Sequence, residues 1–351
     1  MMKTIWIDIL HIPQLNFYKP FIKMLSEHGY CVLVTVLDRG RLAIIAQKEL
    51  ANLHRVSVTV IGRHRMKKWS VLLEANLLRL LRLLLWVPFK HIDMAFSNGS
   101  HVGIIGWLYR FPTYEFEDDP QAKDYGIMCK FATKEHSMLY ELPEDYKLHK
   151  RGTLLPVLKE WAYLNTRLFM PSRNVLESYK VSPKKYIFLR EVSVGTFNYA
   201  SQAPLAILAV KDLIAKLNMK VLFSLEEKHR RNEYPEDWIL LQEPIEDIHS
   251  LIYYAAGLVS SGDSMAREAA LLGIPAYYLG TRHSMPANLA AAKVANLQNE
   301  LTMPFEDWLG ELNEKSVEER MKAQEELRKK IDEEFIDINA YMISLVEKLK
   351  E

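Results

Sequence analysis

The sequence predicts an α/β protein made of two doubly wound parallel sheets in tandem. Three observations carry this. The first half alternates short apolar strands with helices, a second alternating series begins near Lys185, and Val259 to Gly280 (VSSGDSMAREAALLGIPAYYLG) reads as a complete strand, turn, helix and strand. Alternation of this kind implies parallel strands joined by right-handed crossovers.

In chain order, Thr4 to Ile9 reads as a strand, Tyr18 to His28 as a helix ended by Gly29, and Tyr30 to Val36 as a strand. A helix over Arg41 to Leu53 and a strand over Val56 to Ile61 follow. After a basic loop with Arg63, His64, Arg65, Lys67 and Lys68, a Leu-rich helix starts near Ser70. Met94 to Ser97 is expected as a strand, Val102 to Tyr109 as a helix and Thr113 to Phe116 as a strand. The stretch from Asp118 to Arg173, rich in Lys, Glu and Pro, is read as the connection between domains. Strands are then expected at Lys185 to Leu189, Lys220 to Ser224 and Trp238 to Leu241, with helices at Leu205 to Leu217 and Ile248 to Tyr254. From Ser316 the chain is a charged helical tail expected to pack across the domains. The domains expected are 1–172 and 173–351, facing each other across a cleft where ligands meet the carboxyl ends of the strands.

Composition narrows the function. With 45 Lys and Arg against 44 Asp and Glu, the net charge is +1, which argues against a dedicated nucleic-acid binder. Cys31 and Cys129 lie far apart with no Cys/His cluster, so no disulfide framework or zinc site is signalled. No cofactor and no metal is expected. The first apolar run is interrupted by Asp8 and reads as a strand rather than a signal peptide, while the cysteine usage makes a reducing cytoplasm the expectation. Val71 to Phe89 contains Glu74, Arg79 and Arg82, charges that disfavour a membrane span. The segment 63–89 admits two other readings, a buried layer of the first domain or a peripheral contact with an anionic membrane surface at the inner face.

The turn in the third observation is the candidate binding site. Gly262, lacking Cβ, permits close approach of a ligand, Asp263 or Ser264 can cap the following helix, and the helix N-terminus suits a diphosphate. Glu268 falls one residue too late for a capping box, leaving dipole complementation or a sugar diol as its role. Arg190, ending a strand, and Arg282, following the last crossover, are candidates to hold a diphosphate. Ser193, Gly195 and Thr196 are weaker candidate donors, and Asn288 is set against a plain surface amide. In the first domain, His11 and His101 are candidate general bases, with helix capping as the alternative for His101. Glu117, Asp118 and Asp119 bring three carboxylates to one strand end, where repulsion raises a pKa.

On these residues the chain resembles a glycosyltransferase of the two-Rossmann-domain (GT-B) type. It is similar to the peptidoglycan N-acetylglucosaminyltransferase, which has a Ser-Gly turn followed seven residues after the Ser by a ribose-binding Glu, the separation of Ser261 and Glu268. SNGSHVGIIG (97–106) lies where such enzymes carry a second glycine-containing loop, and YEFEDD (114–119) matches the next strand and its polar turn. WIDILHIPQLNFYKPFIKML, KEWAYLN, YIFLR and SGDSMAREAALLGIPA look still closer to a domain-of-unknown-function family of bacterial and archaeal proteins related to these enzymes and to UDP-N-acetylglucosamine 2-epimerases. The resemblance implies a nucleotide-sugar, a UDP-sugar in the first instance, as donor and a glycan or lipid-linked acceptor of cell-envelope polysaccharide type; with no Asp-x-Asp pair in the sequence, helix and arginine are expected in place of a metal ion. A 2-epimerase-like isomerase and an inactive nucleotide-sugar-binding protein are the alternatives. Two departures stand out. The segment Ile9 to Asn16 has no glycine where the transferase has a glycine-rich loop, and Asn98 to His101 lacks the carboxylate that epimerases place there.

Overall fold

The computed structural model describes residues 2–63, 73–119, 131–142, 144, 147–148, 150–193, 206–242, 245 and 247–349. The chain separates into two compact units, Met1–Tyr163 with Phe335–Glu351, and Leu164–Glu334. The boundary expected from sequence lies at 172/173 with the whole tail on the second side; here the final helix groups with the first unit.

The first unit holds a seven-stranded sheet: β1 (Thr4–Ile9), β2 (Cys31–Asp38), β3 (Val56–Arg63), β4 (Met94–Ser97), β5 (Thr113–Glu117), β6 (Lys134–Met138) and β7 (Gly152–Leu155). Their order is β3-β2-β1-β4-β5-β6-β7, and every pair is parallel. The sheet reverses direction of growth between β1 and β4, the switch point at which doubly wound sheets bind ligands. The helix Ile12–Glu27 covers one face, with Phe21 edge-on to Phe96 at 4.9 Å and Phe17 at 5.9 Å from Phe116. It begins at Ile12, six residues before the expected Tyr18, because Pro13 sits in the first turn, where its missing N–H costs nothing. The helices Arg79–Trp86 and Ser100–Tyr109 cover the other face, burying Leu83, Val87, Val102 and Ile105 against Trp6, Leu33 and Ala95.

Register places a polar row across that second face. Thr35, Asp8, Ser97, Glu115 and Glu135 are successive partners on β2, β1, β4, β5 and β6. All are buried. Asp8 is neutralised by Arg79, whose Nη1 and Nη2 reach the carboxylate at 2.9 and 2.6 Å. Strands β6 and β7 fall inside the stretch expected to be only a connection.

The second unit repeats the plan with β8 (Tyr186–Glu191), β9 (Lys220–Leu225), β10 (Ile239–Leu240), β11 (Gly257–Ser260), β12 (Ala276–Tyr278) and β13 (Gln298–Asn299). The order β10-β9-β8-β11-β12-β13 is again parallel throughout, with its switch point between β8 and β11. The single helix expected over Leu205 to Leu217 is two short ones, Ala206–Ala209 and Lys211–Ile214. Gly273 ends the helix Asp263–Leu271 at φ 78°, and a Cβ there would lie 2.7 Å from the Gln324 carbonyl oxygen. The tail divides: Val317–Glu334 docks in the second unit, with Gln324 Nε2 donating to Leu272 O at 2.8 Å, whereas Ile338–Glu347 joins the first, with Tyr341 Oη 3.0 Å from His136 Nε2.

Candidate functional site

The turn after β11 sits at the switch point of the second unit. Ser260 and Arg190 are register partners at the carboxyl ends of β11 and β8, and Ser261 N donates to Arg190 O at 3.0 Å. Ser261 is fully buried, and its Oγ accepts from Val192 N at 2.9 Å, so its hydroxyl staples the two post-strand loops together. Ser260 Oγ receives Gly262 N at 3.0 Å and reaches Gly262 O at 2.7 Å. Gly262 is the N-cap residue at φ −101°, an ordinary extended conformation, so left-handed freedom is not what this glycine supplies. Neither Asp263 nor Ser264 caps the helix as expected; both lie inside its first turn.

Asp263 is the anion at this helix N-terminus. It is 3% exposed, Oδ1 accepts from Ser264 N at 2.8 Å, and Oδ2 lies 2.9 Å from Arg282 Nη1 and 3.8 Å from Arg267 Nη1. Asn288 closes the cluster, its Oδ1 accepting from Arg267 Nη1 at 2.7 Å and its Nδ2 donating to Arg282 O at 2.8 Å. One carboxylate between two guanidiniums leaves a local positive charge, added to the helix dipole. Ser264 and Met265 are the half-buried edge of the turn.

Arg190 is held by Ser224 Oγ at 2.7 Å and by Glu226. Ser193, beside it, gives its N–H to Glu226 and its hydroxyl to Glu227. Gly195 and Thr196 lie outside the described residues. Glu268, further along the helix, meets His249 Nε2 at 3.2 Å through Oε1, and Phe169 stands edge-on to the imidazole. The structure thus joins Asp263, Arg282 and Asn288 in one cluster and Arg190 with Ser261 through the backbone. Sequence reasoning missed His249 and the role of Arg267, since neither belongs to a short motif.

In the first unit, His11 is the N-cap residue of Ile12–Glu27, and its Nδ1 is 2.6 Å from Arg39 Nη1. His101 lies within Ser100–Tyr109, one residue past its start, so it is not a cap; its Nδ1 is 3.4 Å from Arg79 Nη1, the arginine paired with Asp8. Glu117 is buried at the end of β5, its Oε1 accepting from Asp118 N at 2.8 Å and Asp119 N at 2.7 Å. Burial first, and then the Asp118 charge, push its carboxyl well above the usual range despite those donors. Asp118 itself pairs with Lys159 at 2.5 Å. Glu115, which the sequence did not single out, is also pushed well up, by burial and then by Glu117 and Asp8. Glu115 and Glu117, alternate residues of β5, are thus both held toward their protonated forms. Among the described residues, no group of three or more His, Cys, Asp or Glu is placed to hold a metal ion.

Two parallel sheets of this order give the fold shared by GT-B glycosyltransferases and UDP-N-acetylglucosamine 2-epimerases. Solved structures agree. The glycotransferase of kitacinnamycin superposes with a TM-score of 0.65 at 13% identity, covering 99% of both chains. Spinosyn rhamnosyltransferase SpnG complexed with thymidine diphosphate gives 0.65 at 12% identity, over 98% of this chain and 100% of that one. UDP-N-acetylglucosamine 2-epimerase from Neisseria meningitidis, bound to its UDP-sugar, gives 0.61 at 13% identity, over 99% and 100%. No protein-family model matches the sequence, and neither does any curated protein.

Proposed function

We propose that this protein is a glycosyltransferase that moves a sugar from a nucleotide-sugar, a UDP-sugar in the first instance, to a glycan or lipid-linked acceptor without a metal ion. The observation that carries the reading is the cationic turn at the second switch point, with Glu268 one helix turn beyond it. Solved structures of the same fold hold thymidine diphosphate and UDP-N-acetylglucosamine.

In this reading the diphosphate meets Ser264 and the helix N-terminus, Arg282 and Arg190 balance the charge that grows on the leaving group, and Glu268 accepts from the ribose hydroxyls while His249 holds it in place. Stabilising developing charge with fixed donors is where such a site gains most rate. Asp263 and Asn288 orient the guanidiniums rather than touching the donor. The first unit handles the acceptor, with His11, Glu117 or His101 removing its proton.

An isomerase reading has one specific observation behind it. Glu115 and Glu117 are both held toward protonation, as acid/base work on a sugar ring requires. Calorimetry with UDP and UDP-sugars, followed by NMR of the donor alone, separates the readings. Binding with no C2 epimer, and transfer to some acceptor, is expected. No heat at about 1 mM ligand removes both enzyme readings, an epimer formed without acceptor replaces the transferase, and binding without turnover on any acceptor leaves a nucleotide-sugar-binding protein.

A further inference from the structure

At the end of β1 a fully buried arginine is fixed by directed hydrogen bonds. Arg79 Nε donates to Ile61 O at 3.1 Å and Nη2 to Asp8 Oδ1 at 2.6 Å, while Nη1 reaches Asp8 Oδ2 at 2.9 Å and His101 Nδ1 at 3.4 Å. Asp8 is held in turn by the Thr35 hydroxyl, and Thr35 by Trp6 Nε1 at 2.8 Å. Gly62 leaves room for the arginine stem: its φ is 85°, and a Cβ there would lie 3.1 Å from both Cγ and Cδ of Arg79. The guanidinium fork therefore has one orientation, and the His101 ring meets it from the first turn of Ser100–Tyr109.

The chemistry of the two groups decides which way that contact runs. A guanidinium carries hydrogen on every nitrogen and has no acceptor, so His101 Nδ1 must receive the bond with its lone pair. A neutral ring then carries its proton on Nε2. An imidazolium would instead set N–H against N–H beside a cation. In a Ser-His-Asp triad the polarity is reversed, since a carboxylate accepts from Nδ1–H and leaves Nε2 bare to act as a base. Here an arginine stands where that carboxylate would stand. His11 differs, because its Nδ1 and Nε2 lie 2.6 and 3.2 Å from the same Arg39 Nη1, a geometry that selects neither tautomer.

We propose that the Asp8–Arg79 pair holds His101 as its neutral Nε2–H tautomer, so that His101 donates a hydrogen bond to an acceptor oxygen and does not remove a proton. The tautomer stands on the geometry of the first unit alone, and the acceptor as its ligand rests on the transferase reading. Location fits a ligand contact. Asp8 and Ser97 are register partners at the carboxyl ends of β1 and β4, and His101 lies four residues beyond Ser97 at this switch point. Of the three groups considered for proton removal, His11 and Glu117 remain.

The test is a long-range proton–nitrogen correlation spectrum of the full chain labelled with nitrogen-15 histidine at neutral pH, the His101 signals being assigned by their loss in His101→Gln. A single form with bare Nδ1 and protonated Nε2 is expected. Protonated Nδ1, shifts averaged between tautomers, or two protonated nitrogens overturn the proposal. Arg79→Lys keeps a cation for Asp8 but loses the fork, and should release the ring into averaged tautomers; a ring still fixed as in the wild type would show that Arg79 does not select it. In transfer assays at low acceptor, His101→Ala should lower the rate about tenfold, the worth of one hydrogen bond. His101→Gln, which donates through Nε2 but cannot take up a proton, should recover most of that loss. A Gln variant no better than the Ala variant would mean that the ring works as a base, against the proposal. No transfer by the wild type, with the tautomer as expected, removes the transferase reading and the acceptor as ligand while the tautomer stands.

Discussion

Glu268 Oε1 lies 3.2 Å from His249 Nε2, and both side chains are mostly buried beside the switch point of the second sheet. The imidazole fixes a carboxylate that would otherwise sample several rotamers. If Glu268 accepts from ribose hydroxyls, Glu268→Ala should weaken UDP about 10- to 100-fold, the worth of one or two hydrogen bonds to a charged group. His249→Ala should fall between that variant and the wild type. Equal UDP affinity in all three proteins by calorimetry would remove Glu268 from the donor site.

Asp8 and Arg79 form a fully buried pair supported by Thr35, which donates to the carboxylate, and by Trp6 Nε1, 2.8 Å from Thr35 Oγ1. Arg79→Met leaves a buried carboxylate without its cation and should cost about 3–5 kcal/mol in urea unfolding. Adding Asp8→Asn should restore part of that loss, because the stranded charge goes with it. A double variant as unstable as the sum of the singles would show that the pair is not coupled.

His136 is buried between Phe116, stacked at 4.6 Å, and Tyr341. Burial pushes its pKa down to about 3. An unfolded histidine titrates near 6.5, so below that pH the unfolded chain binds a proton that the folded one refuses. Stability is therefore complete above roughly pH 6.5 and lost as pH falls toward 3, by about 2 kcal/mol between pH 7 and pH 5. His136→Phe should flatten this acid limb in denaturant titrations, and an unchanged slope would contradict it.

Glu115 has the opposite sign. Its raised pKa means that the folded state holds a proton which the unfolded carboxylate has already lost, so its contribution declines as pH rises above the unfolded value near 4.3. Glu115→Gln should hence unfold at higher denaturant than the wild type at pH 8 and show no such gain at pH 4. Gly103 lies against it, a Cβ there falling 3.3 Å from Glu115 Oε1, so Gln fits without new bulk.

Gly273→Ala would face two costs at once, a left-handed φ of 78° and a Cβ 2.7 Å from the Gln324 backbone oxygen. A loss of about 1–3 kcal/mol in urea unfolding is expected, with the tail helix Val317–Glu334 loosened in hydrogen exchange. Wild-type protection across Leu271 to Arg328 would speak against that contact.

Local pattern was enough to reveal the alternating plan, and with it most central strands, because runs such as Ile5 to Ile7 and Val32 to Val34 put apolar residues on both faces, as a covered parallel sheet requires. It also located the turn at Ser260 to Ser264, whose Gly and small residues are a short-range signature. The strand Lys134–Met138 escaped notice, since Glu135, His136 and Ser137 read as surface residues. His136 is buried by partners distant in sequence, Tyr341 at its Nε2 and Phe116 on its ring, while Ser137 donates to Glu135 within the strand.

Tertiary structure alone decided which polar residues act together. Asp8 meets Arg79 across 71 residues, and Asp263 meets Arg282 across 19. A carboxylate's role depends on the charge beside it and the water removed from it. Both are fixed by strand register and helix docking, which no local spacing encodes.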